Sequence, residues 1–132
     1  MSRVLIGAMA VLLATSLLLA HGAKPWPVPD KAKRRKNPVA ATPESVKEGA
    51  LLYSGNCLVC HGAKGDGNGP QAGKLPRKPA DFTDWKKMND MTDGEIFWKM
   101  STGRDPMPSF VEKLSEEQRW HLVNYLRTLA KQ

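Results

Sequence analysis

The sequence predicts a small all-α domain of three to four helices, and three observations predict it. Two segments open on a capping hydroxyl with a polar side chain three residues on, Thr92 with Glu95 and Ser115 with Gln118, and each leads into an apolar stripe of helical period. A third opens on Thr42-Pro43-Glu44, with proline at the position where a helix tolerates it. No stretch alternates convincingly enough for a sheet, and there is no internal repeat. A length of 132 residues allows one domain plus a tail and excludes a large multi-domain enzyme.

Residues 1–22 stand apart from that domain. Arg3 gives a short positive start, and Val4 to Ala20 is a 17-residue run without a charge. A secretory signal core has about 7–15 apolar residues and a membrane span about 17–25, so the run fits a signal peptide or an N-terminal membrane anchor. Ala20 and Gly22 offer small residues for cleavage after Gly22. Residues 23–41 read as a basic, Pro-rich linker. Between 24 and 36 six basic residues face one acid, giving +5, whereas 37–132 holds 13 basic and 12 acidic residues, giving +1. The +7 of the whole chain therefore belongs mostly to the tail. That distribution argues against a nucleic-acid-binding domain, whose charge lies on a folded face. The basic run Lys31 to Lys36 reads as a solvated, Pro-stiffened spacer, with contact to anionic lipid or an acidic partner as the sharper alternative.

Residues 42–132 form the folded domain. Val46, Gly49, Ala50 and Tyr53 line one face of the first helix. Asp84 to Met88 predicts a short helical turn. The helix from Thr92 presents Ile96, Phe97 and Met100 and stops at Gly103. The last helix carries Leu122, Val123, Leu126 and Leu129. A helical unit this small needs a staple. Gly62 to Ala80, with five glycines and three prolines and few apolar residues, reads as a loop that wraps a ligand.

The staple is legible in Cys57-Leu58-Val59-Cys60-His61. On a helix, positions 57, 60 and 61 are i, i+3 and i+4, so both sulfurs and the imidazole share one face. Two thiols at that spacing can add to the two vinyl groups along one porphyrin edge while the histidine reaches the iron, and the pattern is the signature of covalent haem c attachment. A thioredoxin-like pair expects a preceding strand, which is lacking. Zinc needs four ligands, and outside the motif only His21 and His121 remain. A disulfide across two residues closes too small a loop to stabilise much.

An iron held by one histidine takes a sixth ligand unless the protein activates a small molecule. Of the downstream methionines, Met100 lies on an apolar stripe, while Met88 and Met91 bracket a polar turn. Met107 differs: Pro106 and Pro108 deny its segment a helix and hold a thioether on a stiff strap. Met107 is thus the candidate axial ligand opposite His61, with His121 the alternative from the folded domain.

With these residues in view, the chain resembles a class I c-type cytochrome of the small bacterial monohaem kind. The resemblance covers residues 42–132 and rests on Gly49 and Tyr53, the Cys57–His61 motif, the glycine-rich string to Pro70, Met107-Pro108-Ser109-Phe110 and the closing helix from Trp120 to Leu129. It implies that the first and last helices cross closely, with Gly49 and Tyr53 against Leu122 and Tyr125. It implies a proline carbonyl on the His61 ring N–H, for which Pro70 is the candidate, and a haem propionate bonded by Trp85. It also implies haem attachment outside the cytoplasmic membrane, hence a location in the periplasm or on the outer face of that membrane. The 24–41 segment lies outside the family pattern.

The expected function is single-electron transfer by one six-coordinate His/Met haem c, as an exported carrier and not an enzyme. Phe82, Trp85, Ile96, Phe97 and Phe110 are expected to form its low-dielectric shell. The alternatives are a membrane-tethered haem subunit of a larger respiratory oxidoreductase and a five-coordinate enzyme or gas sensor. Redox proteins are the expected partners. Lys64, Lys74, Arg77, Lys78, Lys86 and Lys87 against Asp66, Asp81, Asp84 and Asp90 leave the loops mildly positive, which favours an acidic one.

Overall fold

The computed structural model describes residues 24–132, so the apolar segment read as a leader or anchor lies outside the described residues. Among the described residues there are six α-helices: α1 (Asp30–Lys33), α2 (Pro43–Asn56), α3 (Leu58–His61), α4 (Trp85–Asp90), α5 (Asp93–Thr102) and α6 (Glu116–Leu129), with a 3-10 turn at Ala72–Lys74. No strand occurs among them, and no helix there is long and apolar enough to cross a membrane.

Local chemistry sets the boundaries of the long helices. The Thr42 hydroxyl accepts the Ser45 N–H at 3.2 Å and Pro43 occupies the first turn, so α2 begins where its free N–H groups are answered. The α6 start is a full capping box: Ser115 accepts from Gln118 N–H at 3.1 Å, and the Gln118 side chain accepts from Ser115 N–H at 2.9 Å. The expected box at α5 is only half formed. Thr92 accepts the Glu95 N–H at 3.1 Å, but the Glu95 carboxylate turns to Lys99 at 2.9 Å. Asp84 caps the short α4 by accepting from Lys87 N–H. Gly103 closes α5 with φ +65°, and its N–H donates to the Lys99 carbonyl at 2.9 Å.

Helices α2 and α6 form the frame. At their crossing a Cβ on Gly49 would overlap the His121 carbonyl oxygen and stand 2.7 Å from Tyr125 Cβ. Glycine is what lets the backbones approach this closely. Tyr53 meets Tyr125 one turn further on, ring centroids 5.2 Å apart. Helix α5 lays Ile96, Phe97 and Met100 on the frame, and Met88, Phe110, Trp120, Leu122, Val123 and Leu126 complete one buried core. Arg127 pins the far end of α6, with Nε on Asp93 at 2.8 Å and its two terminal nitrogens on the Met88 and Met91 carbonyls.

The segment read as a spacer does not behave as one. Val28 is buried, and the α1 backbone runs so close to α5 that a Cβ on Gly94 would strike the Ala32 and Arg35 carbonyls. Arg35 pairs with Glu116 and lies 4.7 Å over the Phe97 ring. Asn37 donates to Asn124 Oδ1 at 2.7 Å, and Asn124 in turn donates to the Val39 carbonyl at 3.1 Å and the Ser45 hydroxyl at 2.8 Å. A charge count cannot separate Arg35, whose guanidinium lies over the Phe97 and Trp120 rings, from its basic neighbours. Residues 28–41 are therefore an arm clasping α5 and α6.

Candidate functional site

The motif sits at the end of α2, where the chain re-enters helical geometry after one off-axis residue. Cys57 N–H still donates to the Tyr53 carbonyl at 2.8 Å, and Cys60 and His61 N–H donate to the Cys57 carbonyl at 3.2 and 2.9 Å. The two thiols and the imidazole therefore share a single turn, and both cysteines are free and half-buried. Burial, reinforced by neighbouring Cys60, pushes the unattached Cys57 thiol up to about 12.

The glycine-rich loop folds back on this turn and fixes it. Gly62 leaves α3 with φ +87°, and its carbonyl accepts the Tyr53 hydroxyl at 2.7 Å. Gly67, Gly69 and Gln71 N–H donate in succession to the His61, Cys60 and Val59 carbonyls at 2.8, 3.0 and 2.9 Å. A Cβ on Gly69 would press on Cys60, so a side chain there would lift the loop from the attachment turn. Farther along, Phe82 N–H donates to the Gly65 carbonyl at 2.7 Å and brings the Phe82 ring onto His61, centroids 4.6 Å apart and nearly parallel.

This return path decides which carbonyl orients the imidazole. His61 Nδ1 lies 3.1 Å from the Ala80 carbonyl, not that of Pro70. The Gly69 and Gln71 hydrogen bonds hold Pro70 beside the attachment turn, and the chain reaches the ring only as it comes back at Ala80. Burial lowers the His61 pKa, and the Ala80 contact partly opposes it. A neutral ring with Nδ1 occupied leaves Nε2 as its donor, the state a haem ligand requires. The donor set fits a covalently bound haem: two free thiols and an oriented neutral imidazole on one turn.

The remaining expected site residues lie on separate elements. Met107 is half-buried against the core and sits in a two-way backbone bridge with Arg104, N···O 2.8 and 3.0 Å. A Cβ on Gly103 would strike Pro108, so the α5 stop and the methionine strap are packed together. Trp85 opens α4 and is 43 % exposed, and its indole N–H makes no hydrogen bond among the described residues. His121 is engaged at the α2–α6 crossing, its Nδ1 2.8 Å from the Ser45 hydroxyl. Phe97 departs from the expected shell: its ring stacks on Trp120 at 3.8 Å beneath Arg35 and Arg119. Sequence reasoning missed the Ala80 carbonyl, which no side-chain pattern announces. It also missed Asn124, a polar residue breaking the apolar stripe of α6.

A family profile for Cytochrome c matches residues 46–130, and the chain belongs to that family. Cytochrome c6 of Thermosynechococcus vestitus is 30 % identical over 87 residues, covering 66 % of this chain and 72 % of that protein. A 38-residue stretch, 29 % of this chain, is 50 % identical to part of the quinohemoprotein alcohol dehydrogenase ADH IIB of Pseudomonas putida, of which it covers 6 %. Among solved structures, the KustC0563 c-type cytochrome aligns with a TM-score of 0.54 at 30 % identity, covering 63 % of this chain and 98 % of that one. A chain of the Kuenenia stuttgartiensis reducing HAO-like complex Kustc0457/Kustc0458 aligns with a TM-score of 0.63 at 31 % identity, covering 71 % of this chain and 47 % of that one. The cofactor is accordingly one haem c, bound through Cys57 and Cys60, and the function is electron transfer.

Proposed function

We propose that the protein is an exported single-electron carrier whose haem iron is held between His61 and Met107, leaving no coordination position for a substrate. The observation that carries this reading is the Ala80 carbonyl on His61 Nδ1, 3.1 Å away, which orients the ring and raises its basicity as a ligand. The haem supplies one-electron Fe(III)/Fe(II) chemistry, and a thioether ligand favours the reduced state. The protein's own part is to fix geometry and exclude water. Phe82 stacked on His61 limits ring rotation, and the Arg104–Met107 bridge stiffens the strap that presents the thioether. Trp85, with its free indole N–H, suits a haem propionate.

Export to the periplasm, with residues 1–22 as leader or anchor and 42–132 as the haem-bearing domain, completes the reading. Donor and acceptor are redox proteins that make small, transient contacts. The test is stopped-flow electron exchange with the matured holoprotein. One electron per haem is expected to enter and leave, unhindered by cyanide and slowed by salt where the partner is acidic. Inhibition by cyanide would indicate chemistry at an open iron.

A second reading, a haem subunit of a larger membrane oxidoreductase, gains support from the docked arm, which would hold a tethered domain at a fixed angle to its anchor. The mass of the mature chain separates the two. A start near Ala23 fits the free carrier, and an intact Met1 fits the tethered subunit.

A further inference from the structure

Helix α5 has two working faces. Ile96 and Met100 point into the core, Gly94, Trp98 and Ser101, at i, i+4 and i+7, line a cavity of about 850 Å³ under the arm, and Phe97, itself a core residue, borders both. Its lining includes none of the Cys57–His61 turn. The volume is that of small-molecule sites, which run from about 300 to 1,000 Å³.

The charges in this groove do not balance. Arg119, only 8 % exposed, gives Nε to the Ser115 carbonyl and one terminal nitrogen to the Ser101 hydroxyl. Among the described residues its second terminal nitrogen makes no hydrogen bond. Arg35 and Arg119 both lie over Phe97, 4.7 and 4.8 Å from the ring centroid, while the single nearby carboxylate, Glu116, is paired to Arg35. Lys31 and Arg34 add two cations at the rim, and among the described residues no acidic side chain lines the cavity. Burial lowers the Arg119 pKa, Glu116 opposes this, and Arg35 lowers it further. Two guanidinium groups share one carboxylate, Arg119 from a buried position and Arg35 from an exposed one, which leaves a surplus of one positive charge that one anion would neutralise. The walls beside it are Trp98, Pro29 and Ala32, which suit an apolar body.

We propose that the groove between α1, α5 and the start of α6 binds a small organic monocarboxylate, its head on Arg119 and Arg35 and its apolar body along Trp98, Pro29 and Ala32. The inference stands independently of the ligands at the iron.

The test is calorimetric titration of the full matured holoprotein with hexanoate, beside hexanol, inorganic phosphate and phosphatidylglycerol vesicles, while the visible spectrum is monitored. Saturable one-to-one binding of hexanoate without a spectral change is expected, with hexanol and phosphate each weaker by about tenfold or more, the size of one charge-assisted bond. Arg119→Gln is expected to lose at least that factor. Arg34→Glu, at an exposed rim position that leaves the core intact, is expected to weaken binding several-fold. The proposal is overturned by no binding, by equal affinity for hexanol, by wild-type affinity in both variants or by binding to vesicles alone. It is equally overturned by a haem spectral shift, which would put the carboxylate at the iron.

Discussion

Gly49 of α2 lies in van der Waals contact with the backbone of His121 in α6, with no room between them for a methyl group. This contact sets the angle between the two frame helices, and so the position of the attachment turn that ends α2. Gly49→Ala is expected to destabilise the fold by about 1–3 kcal/mol through overpacking. Gly55 lies in the same helix with nothing within 4 Å of its missing Cβ. Gly55→Ala should therefore stabilise by about 0.5–1 kcal/mol through helix propensity. Denaturant melts of the two variants check both, and equal effects would dismiss the close approach as the reason for Gly49.

Asn124 holds the arm. Its carboxamide serves Asn37, Val39, Ala40 and Ser45 together from a buried position on α6. Asn124→Ala leaves several of these groups without partners and is expected to cost about 2–4 kcal/mol. Limited proteolysis should then cut within Lys31–Lys36 much faster than in the wild type. Unchanged protection of that run would mean that the arm is held by Arg35 and Val28 alone.

Asp84 links acid stability to α4. Its carboxyl is held below the usual carboxylate range, first by the Lys87 backbone N–H and then by the Lys87 side chain. A depressed folded pKa gives stabilisation that is complete above the unfolded value near 4 and is lost as pH falls through the lower folded value. The stability gap between wild type and Asp84→Ala should thus be level above about pH 5 and shrink toward pH 3. A gap that stays constant across that range would remove the charge from the explanation.

The legible parts of this molecule were those written in local chemistry. The caps at Thr42 and Ser115 and the stop at Gly103 follow from residues within a few positions of each other. The Cys57–His61 turn is legible for the same reason, since one helical turn brings its three groups together. What the sequence concealed depends on distant backbone. The Ala80 carbonyl reaches His61 across 19 residues of loop, and any residue type there supplies the same oxygen. The arm was concealed because Arg35 docks over Phe97 and Trp120, which lie more than sixty residues away in the chain. Glu95 was misread in a smaller way, because Lys99 one turn on competes for its carboxylate.

The central claim is that His61 and Met107 together close the iron. Carbon monoxide uptake by the reduced holoprotein, read beside the far-red methionine–iron band of the oxidised form, tests it most directly. Wild type is expected to show the band and to take up no carbon monoxide. Met107→Ala is expected to lose the band, bind the gas and fall in reduction potential. A wild-type protein that binds carbon monoxide readily, or a Met107→Ala variant with an unaltered spectrum, would contradict the account.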